Sequence, residues 1–284
     1  MVIKEVLKNT IKTLKDNNTD NAIFEAHLIL KSVTGLCELD LIIKASDELD
    51  QDKIDKIESI LKRRLKGEPL QYILGTEEFM GLEFMVSPSV LIPRQDTEIL
   101  VEKTLEYFGG KPINVLDLCT GSGCIAISIA HFNKNARVHA IDISPDAISL
   151  AKENAIKLGV DDRVSFEVCD VFGFDKFGKY DLIVSNPPYI ESDVIPTLQK
   201  QVNEFEPKSA LDGGIDGLDF YRHIVKIAPK YLDFGGVLAF EIGYNQSRAV
   251  TELMEQSFKD IRTIKDYGDN DRVVIGIKKE NSDG

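Results

Sequence analysis

Ile113-Asn114-Val115-Leu116-Asp117-Leu118-Cys119-Thr120-Gly121-Ser122-Gly123-Cys124-Ile125-Ala126 is the stretch on which the fold turns. Its first six residues are a short β-rich run, and the glycines at 121 and 123 let the backbone turn sharply and approach a ligand closely. A helix starting just after them points its first N–H groups at that ligand. Alone, Gly-x-Gly-x-x-Ala also fits a dinucleotide site, or a tight strand–helix turn with no ligand.

The texture on either side favours a ligand site. Downstream, Arg137–Ile141, Arg163–Val168, Tyr180–Ser185 and Gly236–Ile242 are further β-rich runs, separated by helical patterns such as Ser144–Leu158 and Asp219–Leu232. That alternation calls for an α/β fold, a parallel sheet with helices on both faces. Ile261–Asp266 and Arg272–Lys278 are joined only by Tyr267-Gly268-Asp269-Asn270-Asp271, too short a link for a crossover, so they should form an antiparallel hairpin at one edge.

Upstream, residues 1 to about 75 read as helical. Val2, Val6, Leu7, Ile11 and Leu14 make a first stripe, and Thr19 or Asp20 can cap a second helix in which Ile23, Phe24, His27, Leu28 and Ile29 cluster before Gly35. A further helix from about Asp52 to Lys66 places Ile54, Ile57, Leu61 and Leu65 on one face, and Gly67-Glu68-Pro69 breaks it. Glu77 to Val86 alternates on both sides of Met80-Gly81, which predicts a β-hairpin. The expected organisation is a helical domain over 1–75, a hairpin linker over 76–94 and an α/β domain over 95–284.

Composition sets the outer bounds. The chain has 284 residues, 43% hydrophobic and 29% charged, enough for a full core but too few for three ordinary domains. No run approaches the roughly 18 apolar residues of a membrane helix, and the first residues lack a signal-peptide core, so a cytoplasmic location is expected. The four cysteines form no C-x-x-C pair and no His stands at metal-ligand spacing; they read as buried small hydrophobes, and no metal is expected. A net charge of −13 disfavours direct nucleic-acid binding. The basic triplet Lys62-Arg63-Arg64 reads as a solvated helix face.

Three strand ends carry acids: Asp117, Asp142 (about 20 residues beyond the glycines, where an acid can bind ribose hydroxyls) and Asp170, followed by Val171. Ligands in such sheets bind beyond the carboxyl ends of the strands. Solvated strand-end acids would explain one of these but not readily all three. Acids suit a cationic sulfonium better than a pyrophosphate, which favours S-adenosylmethionine over NAD.

Asn186-Pro187-Pro188-Tyr189 sits at the end of the fourth strand. Asn-Pro-Pro could be a stiff exit turn, because proline fixes φ and lacks a donor. A turn, however, needs neither the Asn nor the aromatic ring at the mouth of a cofactor cleft. An amide nitrogen is a poor nucleophile because its lone pair is delocalised. A site that methylates it must hold both N–H bonds and aim the nitrogen at the methyl group. The Asn186 side-chain oxygen and the Pro187 carbonyl can be the acceptors, Tyr189 offers a flat face to the planar amide, and the prolines stiffen the arrangement.

Asn-Pro-Pro-Tyr after a strand resembles the amino-methyltransferases of planar nitrogens, in adenine or in glutamine. Further segments resemble one branch, the peptide chain release factor glutamine methyltransferases (the PrmC or HemK family). These are Pro93-Arg94-Gln95-Asp96-Thr97-Glu98, Glu206-Pro207-Lys208-Ser209-Ala210-Leu211, the run from Gly213 to Tyr221, Glu241-Ile242-Gly243 and Gln71-Tyr72-Ile73-Leu74-Gly75. The resemblance implies a seven-stranded, Rossmann-like class I methyltransferase domain with a small helical N-terminal substrate-recognition domain and a hairpin linker. It implies S-adenosyl-L-methionine as methyl donor and, as acceptor, the glutamine of the Gly-Gly-Gln loop in class I release factors. Carried over by position, the cofactor residues are Asp117, Cys119, Thr120, Gly121, Ser122, Gly123, Asp142, Asp170, Val171 and Asn186. Asn186, Pro187, Pro188 and Tyr189 would hold the glutamine and carry catalysis. A monomer is expected. The chain departs from the family pattern at Cys119 (usually Gly), Gln95 (often Pro) and Val171 (often aromatic). A DNA adenine methyltransferase or a non-catalytic cofactor sensor are the rival readings; the acidic charge and the lack of a DNA-reading domain weigh against the first.

Overall fold

The sheet of the α/β region reverses its strand order at the place where the glycine run and the Asn-Pro-Pro-Tyr loop both emerge, and the chain is built around that reversal. A computed structural model describes residues 1–175 and 178–280. The chain divides into two compact units, Met1–Gly75 and Thr76–Gly284.

The first unit consists of α1 (Ile3–Asp16), α2 (Ala22–Thr34), α3 (Glu38–Ile43), α4 (Gln51–Arg64) and α5 (Leu70–Leu74). Its core is Ile3, Val6 and Leu14 of α1, Ala22, Ala26, Ile29 and Leu30 of α2, and Ile54, Ile57 and Leu61 of α4. The inward face of α2 differs from the expected one. Alanines line it, and Ile23 and Phe24 stand exposed. The expected solvated basic face also differs: Arg64 is largely buried and pairs through two nitrogens with Glu25, at 2.7 and 2.9 Å.

The second unit opens with the hairpin β1 (Thr76–Phe79) and β2 (Leu82–Met85). Met80 and Gly81 both take positive φ, as a two-residue turn matched to strand twist requires. Then follow α6 (Gln95–Phe108), β3 (Ile113–Leu118), α7 (Cys124–Phe132), β4 (Ala136–Asp142), α8 (Pro145–Lys157), β5 (Val164–Val168), β6 (Tyr180–Ser185), α9 (Lys200–Phe205), α10 (Asp219–Tyr231), β7 (Leu232–Glu241), α11 (Ser247–Met254), β8 (Phe258–Lys265) and β9 (Asp271–Lys278). The seven-stranded sheet runs β5-β4-β3-β6-β7-β9-β8, and β9 runs antiparallel to the other six strands. This is the class I methyltransferase fold.

Alternate residues of each strand feed two cores. Val115, Ala140, Leu182 and Ala239 pack under α6 and α7, while Leu116, Ile183, Leu238 and Phe240 pack under α10 and α11. α7 is buried all round from Cys124 to Ala130, which suits a helix covered on both flanks, here by α6 and α8. The hairpin belongs to this unit. Phe79 and Phe84 are in its core, and fully buried Asn154 of α8 accepts from the Met85 N–H (2.7 Å) and donates to the Met85 and Ser122 carbonyls (3.0 Å each).

Asn154 therefore fastens both the hairpin and the glycine run. Asn154→Leu, of similar volume, leaves three backbone groups without their partner. It should destabilise the unit by at least about 1–3 kcal/mol. Hydrogen exchange should show the Met85 amide exchanging faster; an unchanged rate there would mean that Asn154 does not hold the hairpin.

Candidate active site

The order β4-β3-β6-β7 makes β3 and β6 neighbours whose crossovers leave in opposite directions, and their carboxyl ends bound the crevice where α/β sheets bind ligands. Leu118 pairs with Ser185 in register, and the Ser185 hydroxyl donates to the Leu118 carbonyl at 2.7 Å. The glycine run and the Asn186 loop leave the sheet from these two residues.

In the glycine run, Cys119, Gly121 and Gly123 have φ of +62°, +56° and +81°. A Cβ at Gly123 would lie 2.9 Å from Ile127 Cδ1, so glycine is required there for both φ and space. Cys119 holds the left-handed conformation without being glycine, a strained choice for an L side chain. The run is pinned from three sides. Thr120 N–H donates to the Ile141 carbonyl (3.0 Å), Thr120 Oγ1 to Asp117 Oδ2 (2.6 Å) and Gly121 N–H to Asp142 Oδ2 (2.9 Å). The other Asp142 oxygen accepts from Ser144 N–H at 2.9 Å, and each oxygen keeps a second lone pair. Asp170 Oδ1 accepts from Phe172 N–H at 3.0 Å, turning the chain so that Val171 is buried at the cavity wall.

A cavity of ≈ 320 Å³ lies over these strand ends. Cys119, Thr120, Gly121, Ser122, Asp142, Asp170, Val171, Asn186 and Pro188 line it. Asp117, Gly123, Pro187 and Tyr189 are not in the lining: the first two are buried beneath it, and the last two belong to the loop beside it. Pro93, Arg94 and Thr97 before and on α6, with Phe220 on α10, complete the wall. Their individual places could not be read from local pattern, because topology alone brings them to the crevice. Nor is the cysteine set uniformly buried: Cys124 is, but Cys119 and Cys169 are half-buried and Cys37 is exposed.

The electrostatics suit a cation. Burial raises Asp117 to about 7, against the opposing hydrogen bond from Thr120, and its Oδ1 has no partner. Burial also raises Asp142, against the backbone N–H groups of Ser144 and Gly121. A positive ligand charge beside these two acids would relieve that penalty. The free lone pairs of Asp142 and the apolar wall at Ile143 and Val171 fit the ribose and adenine of S-adenosylmethionine.

The Asn186 loop is clamped from outside the cavity. A Cβ at Gly213 would lie 2.7 Å from Tyr189 Cα, and one at Gly217 2.3 Å from the Tyr189 carbonyl oxygen, so this glycine segment packs directly on the loop backbone. Gln246 Nε2 donates to the Tyr189 carbonyl (2.9 Å) and to the Gly217 carbonyl (3.2 Å). Burial, with the neighbouring Glu241 carboxyl, pushes the Tyr189 phenol well above its usual range.

Residues 110–277 match a methyltransferase domain and residues 5–75 the PrmC N-terminal domain. A release factor glutamine methyltransferase from Clostridium acetobutylicum is 40% identical over 98% of this chain and 99% of its own length. One from Geobacter sulfurreducens is 43% identical over 96% of each. The chain belongs to the release factor glutamine methyltransferase family. At the level of fold, the second unit's architecture is shared with a ribosomal protein L11 methylase from Lactobacillus delbrueckii subsp. bulgaricus (TM-score 0.50, 22% identity, 69% of this chain and 84% of that one). It is shared also with a methyltransferase from Pyrococcus furiosus (TM-score 0.53, 18% identity, 71% and 91%). In this member of the glutamine methyltransferase family, the cysteine at 119 departs from the expected glycine while keeping the positive φ that glycine would supply.

Asp117 gives the site a pH signature. Between 3.8 and about 7 the folded protein holds a proton there that the unfolded chain has released, so this group's contribution to stability falls as pH rises through that window and is constant above it. Urea unfolding of the wild type and of Asp117→Asn should show the variant gaining relative stability as pH rises from about 5 to 7, with no further gain near pH 8. A pH-independent difference would contradict the buried, proton-holding carboxyl.

Proposed function

We infer that the chain transfers a methyl group from S-adenosyl-L-methionine to the side-chain amide nitrogen of the glutamine in the Gly-Gly-Gln motif of class I peptide chain release factors. The observation that carries the reading is the Asn186-Pro187-Pro188-Tyr189 loop at the β3/β6 switch point, beside a cavity rimmed by Asp142 and Asp170. Membership of the family supplies the identity of the acceptor protein.

S-adenosylmethionine, when bound, supplies a methyl group made electrophilic by its sulfonium. Asp142 would hold the ribose hydroxyls, the backbone of Thr120 to Gly123 the methionine portion, and Val171 the adenine. Asp117 acts from behind the lining through Thr120 and by its charge. Asn186 Oδ1 and the Pro187 carbonyl oxygen accept the two N–H bonds of the substrate amide, which orients the nitrogen and favours the positive charge that grows on it. The two buried prolines hold these acceptors in place before substrate arrives, so little ordering entropy remains to be lost. Tyr189 supplies a flat ring for the planar amide. No base is needed before attack, because the N-methylated amide cation is strongly acidic and its surplus proton passes to solvent water once transfer is complete.

A glutamine amide is a common group, so selectivity needs contacts remote from the reacting atom. We assign that recognition to residues 1–75, with 76–94 as the joint to the methyltransferase region. The protein is read as a cytoplasmic monomer that does not grip nucleic acid directly. Its strong negative charge supports this, and among the described residues no helix is long and apolar enough to cross a membrane.

Asn186→Ala removes one of the two amide acceptors. Transfer to the release factor should slow by about 10²-fold or more while calorimetry still finds cofactor binding. Near-normal methylation by that variant would sink the assignment. Asp142→Ala should instead weaken cofactor affinity by about 1.5–3 kcal/mol, the value of one charged hydrogen bond, with the fold intact. Unchanged affinity would place the ribose elsewhere.

A further inference from the structure

Pro93-Arg94 and Glu206-Pro207, from two of the family-like segments, meet across 112 residues of chain, yet the transfer reaction uses neither charge. Arg94 is the N-cap residue of α6 and donates through Nη2 to Oε1 of Glu206, which is buried and so fixes the direction of the guanidinium it holds. Among the described residues nothing else accepts from Arg94. Only one of its five N–H bonds is engaged, which leaves one fork of the guanidinium intact. The side chain is 41% exposed and lines the cavity. Every other charged residue of that lining is an acid, namely Asp142, Asp170 and Asp212.

S-adenosylmethionine carries two cations, the sulfonium and the ammonium, and one anion, the carboxylate of its methionine end. The acids of the wall suit the cations; the carboxylate needs donors. The glycine run has few to give. Thr120 N–H donates to the Ile141 carbonyl (3.0 Å), Gly121 N–H to Asp142 (2.9 Å) and Gly123 N–H to the Thr120 carbonyl (2.9 Å), so of these four residues only Ser122 keeps its N–H. The strand order β5-β4-β3-β6 sets Asp170, Asp142, the glycine run and Asn186 in sequence along the crevice. With the ribose at Asp142, adenine lies toward Asp170 and Val171, and the methionine end lies toward Asn186. Arg94 belongs to that end. Thr97, whose N–H donates to the Arg94 carbonyl at 3.0 Å, has its Oγ1 3.3 Å from Asn186 Nδ2. We infer that Arg94 binds the carboxylate of the cofactor, with Glu206 holding the guanidinium in place, an assignment that rests on the ribose lying at Asp142. A guanidinium fork matches a carboxylate with two parallel N–H···O bonds, which neither a lone backbone N–H nor a lysine reproduces.

Calorimetry on the full-length protein measures Kd for S-adenosylmethionine and for its decarboxylated analogue, which keeps the sulfonium and the ammonium. The proteins titrated are the wild type, Arg94→Met, and Arg94→Met combined with Glu206→Gln, which leaves no buried carboxylate stripped of its partner. The wild type should bind the decarboxylated compound about 10-fold or more weakly than S-adenosylmethionine. Both variants should lose about 10-fold or more in affinity for S-adenosylmethionine. They should bind the decarboxylated compound within about twofold of the wild type, so that the two compounds become alike. Should Arg94→Met fail to fold, the double variant and the wild-type ratio decide. A wild type that binds both compounds equally, or a variant that keeps the wild-type preference for S-adenosylmethionine, overturns the assignment. If Asp142→Ala also binds the cofactor normally, the ribose reading has failed with it; if Asp142→Ala binds weakly, only the role of Arg94 has.

Discussion

The hydrogen bond from the Ser185 hydroxyl to the Leu118 carbonyl closes the carboxyl ends of β3 and β6 at the reversal of the sheet. Everything at the site is measured from that join. On one side of it the chain enters three left-handed residues in five, which bend it along the cavity wall. On the other it enters two buried prolines, with Asn186 in the cavity lining. Strand register thus sets the glycine run and the Asn186 loop side by side at the cavity. The parallel pairing Leu118↔Ser185 makes the arrangement sensitive to register, because a one-residue slip would turn Asn186 to the other face of the sheet.

Around this join the protein keeps buried acids short of partners. Asp117 and Glu241 are both raised to about 7 by burial, and each retains one oxygen with no hydrogen bond. The two differ in purpose. Asp117 lies behind the glycine run, where a cationic ligand can compensate it; Glu241 lies behind the Asn186 loop, where it accepts a hydrogen bond from the Tyr189 hydroxyl at 3.5 Å. An apolar residue at either place would relieve a desolvation cost and remove a directional partner.

Much of this was legible in the sequence. Ile113–Leu118 and Tyr180–Ser185 are strands over the bounds that their β-rich runs suggest, because both are buried on two faces and bounded by turn residues. The edge hairpin follows from a link too short to cross over, although β9 rather than β8 takes the inner place. The helical face of α2 was not legible, since Ala22 and Ala26 allow close packing and push the larger Ile23 and Phe24 outward. Helices α3, α5 and α9 have five or six residues each, too few for a hydrophobic period to show. Thr97, Asn154, Glu241 and Gln246 matter through partners 29 to 89 residues away, and no local pattern carries such pairings.

The Asn186 loop, fed from the switch point, is the element proposed to methylate a protein amide nitrogen. The most direct test is fragment-ion mass spectrometry of a class I release factor after incubation with this protein and S-adenosylmethionine. One added methyl group on the side chain of the Gly-Gly-Gln glutamine, absent with Asn186→Ala, is the expected result. A methyl group on any other residue, or none on the release factor alongside transfer to adenine in duplex DNA, would contradict it.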